Sequence, residues 1–342
     1  MARYGVMFGP DFTFFGVPGC DLTEPATFAD SRAVIIGAPW DSGTSYRPGA
    51  RLGPSAIRGV DYSHHNGSRP HLALRVDPLV DLAVTDAGDV RMPPEERQPA
   101  MSALGAAVHT VVAAGKLPVV LGGDHSVAVA DMTALAEQYG AGRISLIHFD
   151  AHADTGDTEF GSTHGHGSPI RRLVESGAVR GDRVFQIGLR GYWPTPSELQ
   201  WMAENALHSY EMAEIGARGL DTVLAETLTA AADDTDGVFL SVDIDVVDPG
   251  TAPGTGTPEP GGLTARELLD AVRRIGRDCA LAGLEVVEVA PAYDHAEVTA
   301  MLANRVVLET LSGVARRMLD AEDGSRWDES VNLLSGRGSD QR

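Results

Sequence analysis

The chain contains 342 residues, of which 43% are hydrophobic and 22% are charged, as is typical of a globular protein. With 27 Lys and Arg residues against 48 Asp and Glu residues, its formal net charge is −21, which argues against binding to nucleic-acid phosphates or to an anionic membrane surface. Two cysteines, Cys20 and Cys279, are too few for a disulfide framework, and no apolar run approaches the ~20 residues that span a bilayer. We therefore expect a cytoplasmic protein without a signal peptide.

Short β-branched runs alternate along the chain with longer segments rich in Ala, Leu, Glu and Arg. The short runs predict strands at residues 33–37, 117–122, 144–149, 183–188, 237–242 and 281–287. The longer segments predict helices at residues 98–114, 127–139, 196–205, 220–232, 264–277 and 299–320. The strands are almost continuously apolar, which is typical of a parallel sheet covered by helices on both faces. The alternation therefore predicts an α/β fold.

The domain organisation is expected to be simple. No change in composition marks a linker and no internal repeat is visible, so residues 1–320 are expected to form one domain. The polar residues 321–342 are expected to form a flexible C-terminal tail. Residues 249–262, PGTAPGTGTPEPGG, are too rich in Pro and Gly for a helix or strand and predict a long loop.

Clusters of acidic residues and histidine lie at the ends of four predicted strands. They are GGDHS (122–126), DAHAD (150–154), SVDID (241–245) and Glu288. Parallel strands bring their carboxyl ends to the same edge of a sheet, and ligands in open α/β sheets bind beyond those ends. We therefore expect the four clusters to meet in one site.

The spacing within these clusters predicts a metal site. Residues i, i+2 and i+4 of an extended chain point the same way, so two sets of side chains should converge: Asp150, His152 and Asp154 in one, and Asp243 and Asp245 in the other. Each short motif alone is more often a turn, a helix cap or a salt bridge. Together with His125 they offer four carboxylates and two imidazoles, a donor set that suits two divalent ions, with Mn²⁺ favoured over metals that prefer thiolates. His148 is expected to support this group or to pack beside it.

The sequence resembles the ureohydrolase family of arginases and agmatinases, and within it the agmatinase-like branch, over roughly residues 33–312. The resemblance rests on GAPWDSGTSYRPGARLGPSAIR (37–58), LGGDHS (121–126), HFDAHADT (148–155), SVDIDVVDP (241–249), GTGTPEPGG (254–262) and GLEVVEVAPAYDHAEVT (283–299). It implies a three-layer α/β/α sandwich of the arginase/deacetylase type around a mostly parallel sheet. It also implies a homo-oligomer, either a trimer or a hexamer.

The resemblance further implies two Mn²⁺ ions per chain, with Ni²⁺ or Co²⁺ as alternatives. One ion would be held by His125, Asp150, Asp154 and Asp243. The other would be held by His152, Asp150, Asp243 and Asp245, so that Asp150 and Asp243 would bridge the pair. Paired metal ions lower the pKa of water to about 7 and so supply a hydroxide nucleophile at neutral pH.

Three residues would act in the reaction that the resemblance implies. Glu288 would bind the guanidinium group through two parallel hydrogen bonds. Asp154 would use its spare oxygen to hydrogen-bond the tetrahedral intermediate. His166 would give a proton to the leaving amine, with His164 as the alternative donor.

The implied reaction cleaves a small cationic alkyl guanidine to urea and an amine. Agmatine, which would give putrescine, is the favoured substrate. Residues 155–161, TGDTEFG, depart from the arginase pattern, which argues against L-arginine. Within them Asp157 or Glu159 could face an ammonium tail, although a solvated acidic loop explains both residues equally well.

Other substrates and other functions stay open. The alternatives of the same family are 4-guanidinobutanoate, 3-guanidinopropanoate, a proclavaminate-type substrate and guanidine itself. A carboxylate tail would need a cation, which Arg171, Arg172 or Arg190 could supply, and Trp193 could line the pocket or simply pack. A related amide hydrolase of the deacetylase branch and a metal-stabilised regulatory or scaffold protein are the competing interpretations.

Overall fold

The computed structural model describes residues 12–60 and 70–322. Its strands are β1 Ala33–Ala38, β2 Thr85–Asp89, β3 Leu117–Gly122, β4 Ile144–Phe149, β5 Val184–Leu189, β6 His208–Glu211, β7 Gly237–Asp243 and β8 Leu281–Val287. They form one sheet in the order β2-β1-β3-β8-β7-β4-β5-β6. Every neighbouring pair is parallel, which confirms the predicted α/β fold with a mostly parallel sheet.

Helices connect these strands and flank the sheet. Those within the described ranges are α1 Gly53–Gly59, α2 Pro78–Asp81, α3 Arg97–Ala113, α4 Ala128–Tyr139, α5 Pro169–Ser176, α6 Pro196–Glu204, α7 Met212–Arg218, α8 Leu220–Ala231, α9 Ala265–Asp278 and α10 Val298–Ala321. None of them is long and apolar enough to cross a membrane.

The two faces of the sheet carry separate hydrophobic cores. Val34 and Ile36 of β1 pack with apolar residues of α3 and α4. Ile35, which lies between them in the strand, packs on the opposite face in a core shared with α8, α9 and α10. Successive side chains of a strand point to opposite faces, so each central strand supplies both cores. The result is the three-layer α/β/α arrangement that we expected.

The predicted elements agree closely with the structure. All six predicted strands and all six predicted helices are confirmed, each with both ends within one residue of the observed bounds. The edge strands β2 and β6 and the short helices α1, α2, α5 and α7 were not predicted. Residues 249–262 form the predicted loop. All but the first two residues of the tail predicted at 321–342 lie outside the described residues.

A buried ion pair fixes α1 to the edge of the sheet. Arg58 Nε lies 2.9 Å from Asp86 Oδ2, and Arg58 Nη2 lies 2.9 Å from Asp86 Oδ1, which gives a two-pronged contact. The exposed fractions of the two side chains are 3% and 0%. Arg58 also pairs with Asp89 at the end of β2. This contact anchors α1, which follows the loop at residues 41–49. That loop contributes to the site described next.

Candidate metal centre

The topology brings the four predicted clusters together. Strands β3, β8, β7 and β4 are consecutive in the sheet, and each ends at one of the clusters. His125 opens a short 3-10 turn after β3, Asp150 follows β4 directly, Asp243 is the last residue of β7 and Glu288 follows β8. The structure therefore places all four at the carboxyl edge of the central strands.

Three carboxylates surround one nitrogen of His125. Its Nδ1 atom lies 3.0 Å from Asp154 Oδ2, 3.1 Å from Asp150 Oδ2 and 3.5 Å from Asp243 Oδ2. This nitrogen is buried and makes no hydrogen bond of normal geometry within the described part of the chain. An imidazole nitrogen facing three carboxylate oxygens without such a bond is the arrangement expected of ligands that share a cation.

The remaining ring nitrogen orients His125 for this role. Nε2 lies 2.8 Å from Ser241 Oγ in β7 and 3.6 Å from Glu285 Oε1 in β8. With its hydrogen on Nε2, facing these oxygens, the ring directs the lone pair of Nδ1 at the carboxylates. That is the tautomer a metal ligand needs.

A second donor group lies beside the first. His152 Nδ1 is 3.1 Å from Asp245 Oδ2 and 3.4 Å from Asp150 Oδ1. Asp150 thus presents one oxygen to His125 and the other to His152, so it belongs to both groups. The arrangement could hold two metal ions with Asp150 between them.

The electrostatics of the cluster fit cations. Burial, and then the negative charges of Asp245 and Asp150, raise the pKa of Asp243 well above its usual range. Burial and the neighbouring Asp150 likewise raise the pKa of Asp154. Burial alone would also raise the pKa of Asp150, but His148 and the other imidazoles around it lower that pKa well below the usual range. Crowded buried carboxylates are costly unless positive charge compensates them, and two divalent ions would do so.

His148 supports the cluster, as expected. Gln186 Nε2 donates to Ala153 O at 2.7 Å and lies 3.2 Å from His148 Nδ1, which therefore acts as an acceptor. The hydrogen of the ring is then on Nε2, which lies 2.8 Å from Asp150 Oδ2. His148 is thus a hydrogen-bond donor to the shared carboxylate.

The side chains converge for a different reason than the one predicted. Strand β4 ends at Phe149, and Asp154 has a φ of +53°, in the left-handed region. Asp243 ends β7 and caps a 3-10 turn, Ile244–Val246, that carries Asp245. The expected alternation of an extended chain was therefore wrong in both clusters. The turns that follow the strands, and not the strands themselves, orient the candidate metal-ligand side chains.

His166 and Glu288 form a buried pair beside the cluster. His166 Nδ1 lies 2.8 Å from Glu288 Oε1, which also accepts the backbone N–H of His125 at 2.9 Å. Burial alone would lower the pKa of His166, but the charges of Glu288 and Asp124 raise it to about 10. Glu288 Oε2 is buried and has no hydrogen-bond partner among the described residues. Glu288 was expected to bind the guanidinium group through both carboxylate oxygens. Of these two, Oε1 is engaged by His166 and Oε2 is unpaired. His164, the alternative proton donor, lies exposed in the preceding loop.

Sequence reasoning did not identify Ser45, which contacts His166. Its backbone N–H donates to His166 Nε2 at 3.1 Å, and its hydroxyl oxygen lies 2.6 Å from the same atom. Ser45 lies within the segment GAPWDSGTSYRPG, but nothing in that local pattern marks a serine for chemistry. The contact joins residues 121 positions apart and depends on the fold.

A cavity of about 260 Å³ opens onto the cluster. Beyond the metal-ligand candidates, its wall is made by Ser45, Glu159, His166, Gly167, Trp193 and Thr257. Glu159 is held there by a tight turn, in which its backbone exchanges hydrogen bonds of 2.7 and 2.8 Å with Ser162. Its carboxylate also accepts the N–H of Gly167 at 3.3 Å. Of the two acidic residues considered from the sequence, Glu159 therefore lines the cavity.

The other charged candidates of this region lie outside the cavity wall. Asp157 has an exposed side chain and pairs with Arg171 and Arg172, which also pair with Glu175. The guanidinium of Arg190 donates to backbone carbonyls of the loop at residues 245–260. Trp193 lines the cavity, which is one of the two roles expected of it from the sequence.

Comparison with known proteins gives a consistent result. A family model described as the arginase family matches residues 31–313. Proclavaminate amidinohydrolase of Streptomyces clavuligerus is 38% identical over 286 residues, which are 83% of this chain and 88% of that protein. Agmatinase of Bacillus subtilis (strain 168) is 36% identical over 290 residues, 84% of this chain and 93% of that protein. The solved structure of the Streptomyces enzyme superposes with a TM-score of 0.82 and 34% identity, covering 92% of this chain and 100% of its own.

Proposed function

This chain belongs to the arginase family and is an amidinohydrolase that acts on guanidino compounds, and from that premise we propose that its substrate is agmatine, which it cleaves to putrescine and urea. Overall identity does not select the substrate, because relatives named for different substrates are 38% and 36% identical to the chain. The choice of substrate therefore depends on the residues of the cavity wall.

We assign the metal ligands as the sequence predicted them. The two ions would be held by His125, Asp150, His152, Asp154, Asp243 and Asp245. The oxygen-rich donor set supports Mn²⁺, with Ni²⁺ and Co²⁺ as alternatives. When bound, such a pair supplies a hydroxide nucleophile at neutral pH.

The protein residues around the cluster have distinct roles in this proposal. The unpaired Oε2 atom of Glu288 accepts an N–H of the guanidinium group, because a buried carboxylate oxygen without a donor is costly and a cationic donor satisfies it. His166 is held by Glu288 with its Nδ1 atom engaged, and it provides the proton that the leaving amine needs. Asp154 lies at the cavity wall, where its carboxylate can accept a hydrogen bond from the reacting centre.

The charge of Glu159 is the observation that carries the choice of substrate. Among the described residues of the cavity wall, it is the one charged side chain outside the metal ligands and His166. A carboxylate there attracts an ammonium tail and repels a carboxylate tail. The aromatic face of Trp193 also suits a cation. Arg171, Arg172 and Arg190, which could have bound a carboxylate, are engaged elsewhere.

A substrate panel tests this proposal. Urea release is measured for the metal-loaded protein with agmatine, 4-guanidinobutanoate, 3-guanidinopropanoate, L-arginine and guanidine. We expect the highest kcat/KM for agmatine, by roughly tenfold or more over the two acids, which is the factor that 1.4 kcal/mol gives. A kcat/KM for either acid that is higher than the kcat/KM for agmatine would contradict the proposal that the substrate has an ammonium tail.

The oligomeric state belongs to the same proposal. We infer a homo-oligomer, a trimer or a hexamer, from the family to which the chain belongs. Light scattering coupled to size-exclusion chromatography distinguishes these from each other and from a monomer of 36.1 kDa.

A further inference from the structure

Arg190 directly follows β5, and its side chain contacts the backbone of the second donor group, that of His152 and Asp245. We propose that Arg190 is a positioning residue for this group, whose guanidinium holds Asp245 in place for the second metal ion. This inference rests on the proposed function, in which His152 and Asp245 are ligands of that ion.

The guanidinium of Arg190 joins three backbone segments. Among the described residues, its six hydrogen bonds all go to backbone carbonyl oxygens, which belong to Gly188, Asp245, Val246, Glu259 and Pro260. The shortest two, both 2.6 Å, run from Nη2 to Asp245 O and Glu259 O. The guanidinium is planar, its N–H groups point in fixed directions, and its charge strengthens each bond. One rigid group therefore fixes the turn that carries Asp245 against the loop at residues 249–262.

The backbone of Arg190 holds the other half of the same donor group. Its N–H donates to Ala151 O at 3.0 Å. The N–H of Ala151 in turn donates to Asp245 Oδ1 at 3.1 Å. Ala151 precedes His152, whose Nδ1 atom lies 3.1 Å from Asp245 Oδ2. Arg190 therefore contacts both segments of the chain that bring His152 and Asp245 together.

The loop at residues 249–262 packs closely on the guanidinium. A Cβ atom at Gly262 would lie only 2.6 Å from Arg190 Nη2, so a larger residue there would displace the guanidinium. Thr257 of this loop lines the cavity, and its hydroxyl donates to Asp245 Oδ2 at 3.3 Å. By binding the loop, Arg190 also keeps this donor beside the Asp245 carboxylate.

The first donor group is held by other contacts. His125 follows β3 and Asp243 ends β7, while Asp154 O accepts the N–H of Ile170 at the start of α5. Within the described ranges, no hydrogen bond of the Arg190 guanidinium reaches these ligands. Loss of the guanidinium should therefore weaken the second ion and leave the first ion bound.

Titration of the metal-free protein with Mn²⁺ tests this role. The electron paramagnetic resonance signal of free Mn²⁺ gives the dissociation constant of each ion without an activity assay. In Arg190→Met we expect one ion to bind as in the unmodified protein and the other to bind about 10- to 100-fold more weakly, the usual loss when an outer partner of a metal ligand is removed. Arg190→Lys keeps the charge but not the planar fork, so it should weaken the same ion by a smaller factor.

Further variants identify the ion and control for the loss of an arginine. His152→Asn removes a ligand of the second group alone, so the double variant His152→Asn/Arg190→Met should keep the same single ion as either change by itself. The matched control is Arg183→Met, because Arg183 precedes β5 as Arg190 follows it. Its guanidinium contacts Asp182 O and Asp233 instead, and the variant should bind both ions normally.

The outcomes separate a positioning role from a general structural one. Two tightly bound ions in both Arg190 variants, or an equal weakening of both ions, would overturn the proposal. So would the loss of both ions in the double variant, since Arg190 would then act on the ion of His125. If circular dichroism shows that Arg190→Met does not fold, Arg190→Lys decides the matter by the same criteria. Fewer than two ions in the unmodified protein would instead refute the metal pair of the proposed function, and this role of Arg190 with it.

Discussion

Replacing Glu159 with Gln gives the sharpest test of the substrate assignment. The change removes one negative charge from the cavity wall but keeps an oxygen that can accept the N–H of Gly167, now 3.3 Å from the carboxylate. The turn that positions residue 159 is held by backbone bonds to Ser162 and should stay in place. We therefore expect kcat/KM for agmatine to fall and kcat/KM for 4-guanidinobutanoate to rise.

The size of the effect follows from the exposure of the carboxylate. Two unit charges about 4 Å apart interact by about 4 kcal/mol at an effective dielectric constant near 20. The side chain of Glu159 is 26% exposed, and solvent screening reduces its contribution. An interaction of about 1–2 kcal/mol remains, which corresponds to roughly a 5- to 30-fold change in kcat/KM.

Three substrates and one control variant complete the experiment. Steady-state urea release is measured with agmatine, 4-guanidinobutanoate and the uncharged analogue butylguanidine, whose kcat/KM should not change. Asp157→Asn is the matched control, because that side chain is 65% exposed and pairs with Arg172 outside the cavity wall. If Glu159→Gln lowered kcat/KM for butylguanidine as much as for agmatine, the electrostatic reasoning would be refuted.

Further predictions concern the metal, the pH dependence and the fold. Asp150 belongs to both donor groups, so Asp150→Asn should reduce metal content below two ions per chain, measured by mass spectrometry, and lower kcat at least about 100-fold. The pKa of His166 is about 10 in the folded chain against an ordinary 6.5, so its stabilising contribution is complete below pH 6.5 and is lost as the pH rises towards 10. The Tm difference between the unmodified protein and His166→Asn should therefore shrink over that range, and a constant difference would contradict the pairing with Glu288. Arg58→Met leaves Asp86 buried without its partner and should lower the free energy of unfolding by about 3–5 kcal/mol, measured by urea denaturation.

The central part of the fold could be predicted because its signals are local. Strands such as β4, ISLIHF, are buried along their whole length, so the apolar run alone identifies them. Strand β2, TDAGD, has polar residues and becomes exposed towards its end. Strand β6, HSYE, has no fully buried residue. An edge strand forms through pairing with a neighbour, and its sequence carries no comparable apolar signal.

The convergence of the site could be predicted, but its local geometry could not. The rule that parallel strands end at one edge placed His125, Asp150 and Asp243 together, and the structure agrees. The same rule says nothing about the loops that complete the cavity. Asp157 and Glu159 are equivalent candidates in the sequence, and only the turn at residues 159–162 selects Glu159 for the wall.

Two strained residues show why the loops resist prediction. Asp154 and Glu288 both have left-handed φ values, +53° and +63°, which are uncommon for residues with a side chain. Each is held by a contact from another element: Asp154 O accepts the N–H of Ile170 at the start of α5, and Glu288 N donates to Gly123 O after β3. Such a conformation costs about 1–3 kcal/mol and persists only where the surroundings fix it. Both residues direct a carboxylate at a histidine of the site. The positions of these two carboxylates therefore depend on long-range contacts that no local sequence pattern encodes.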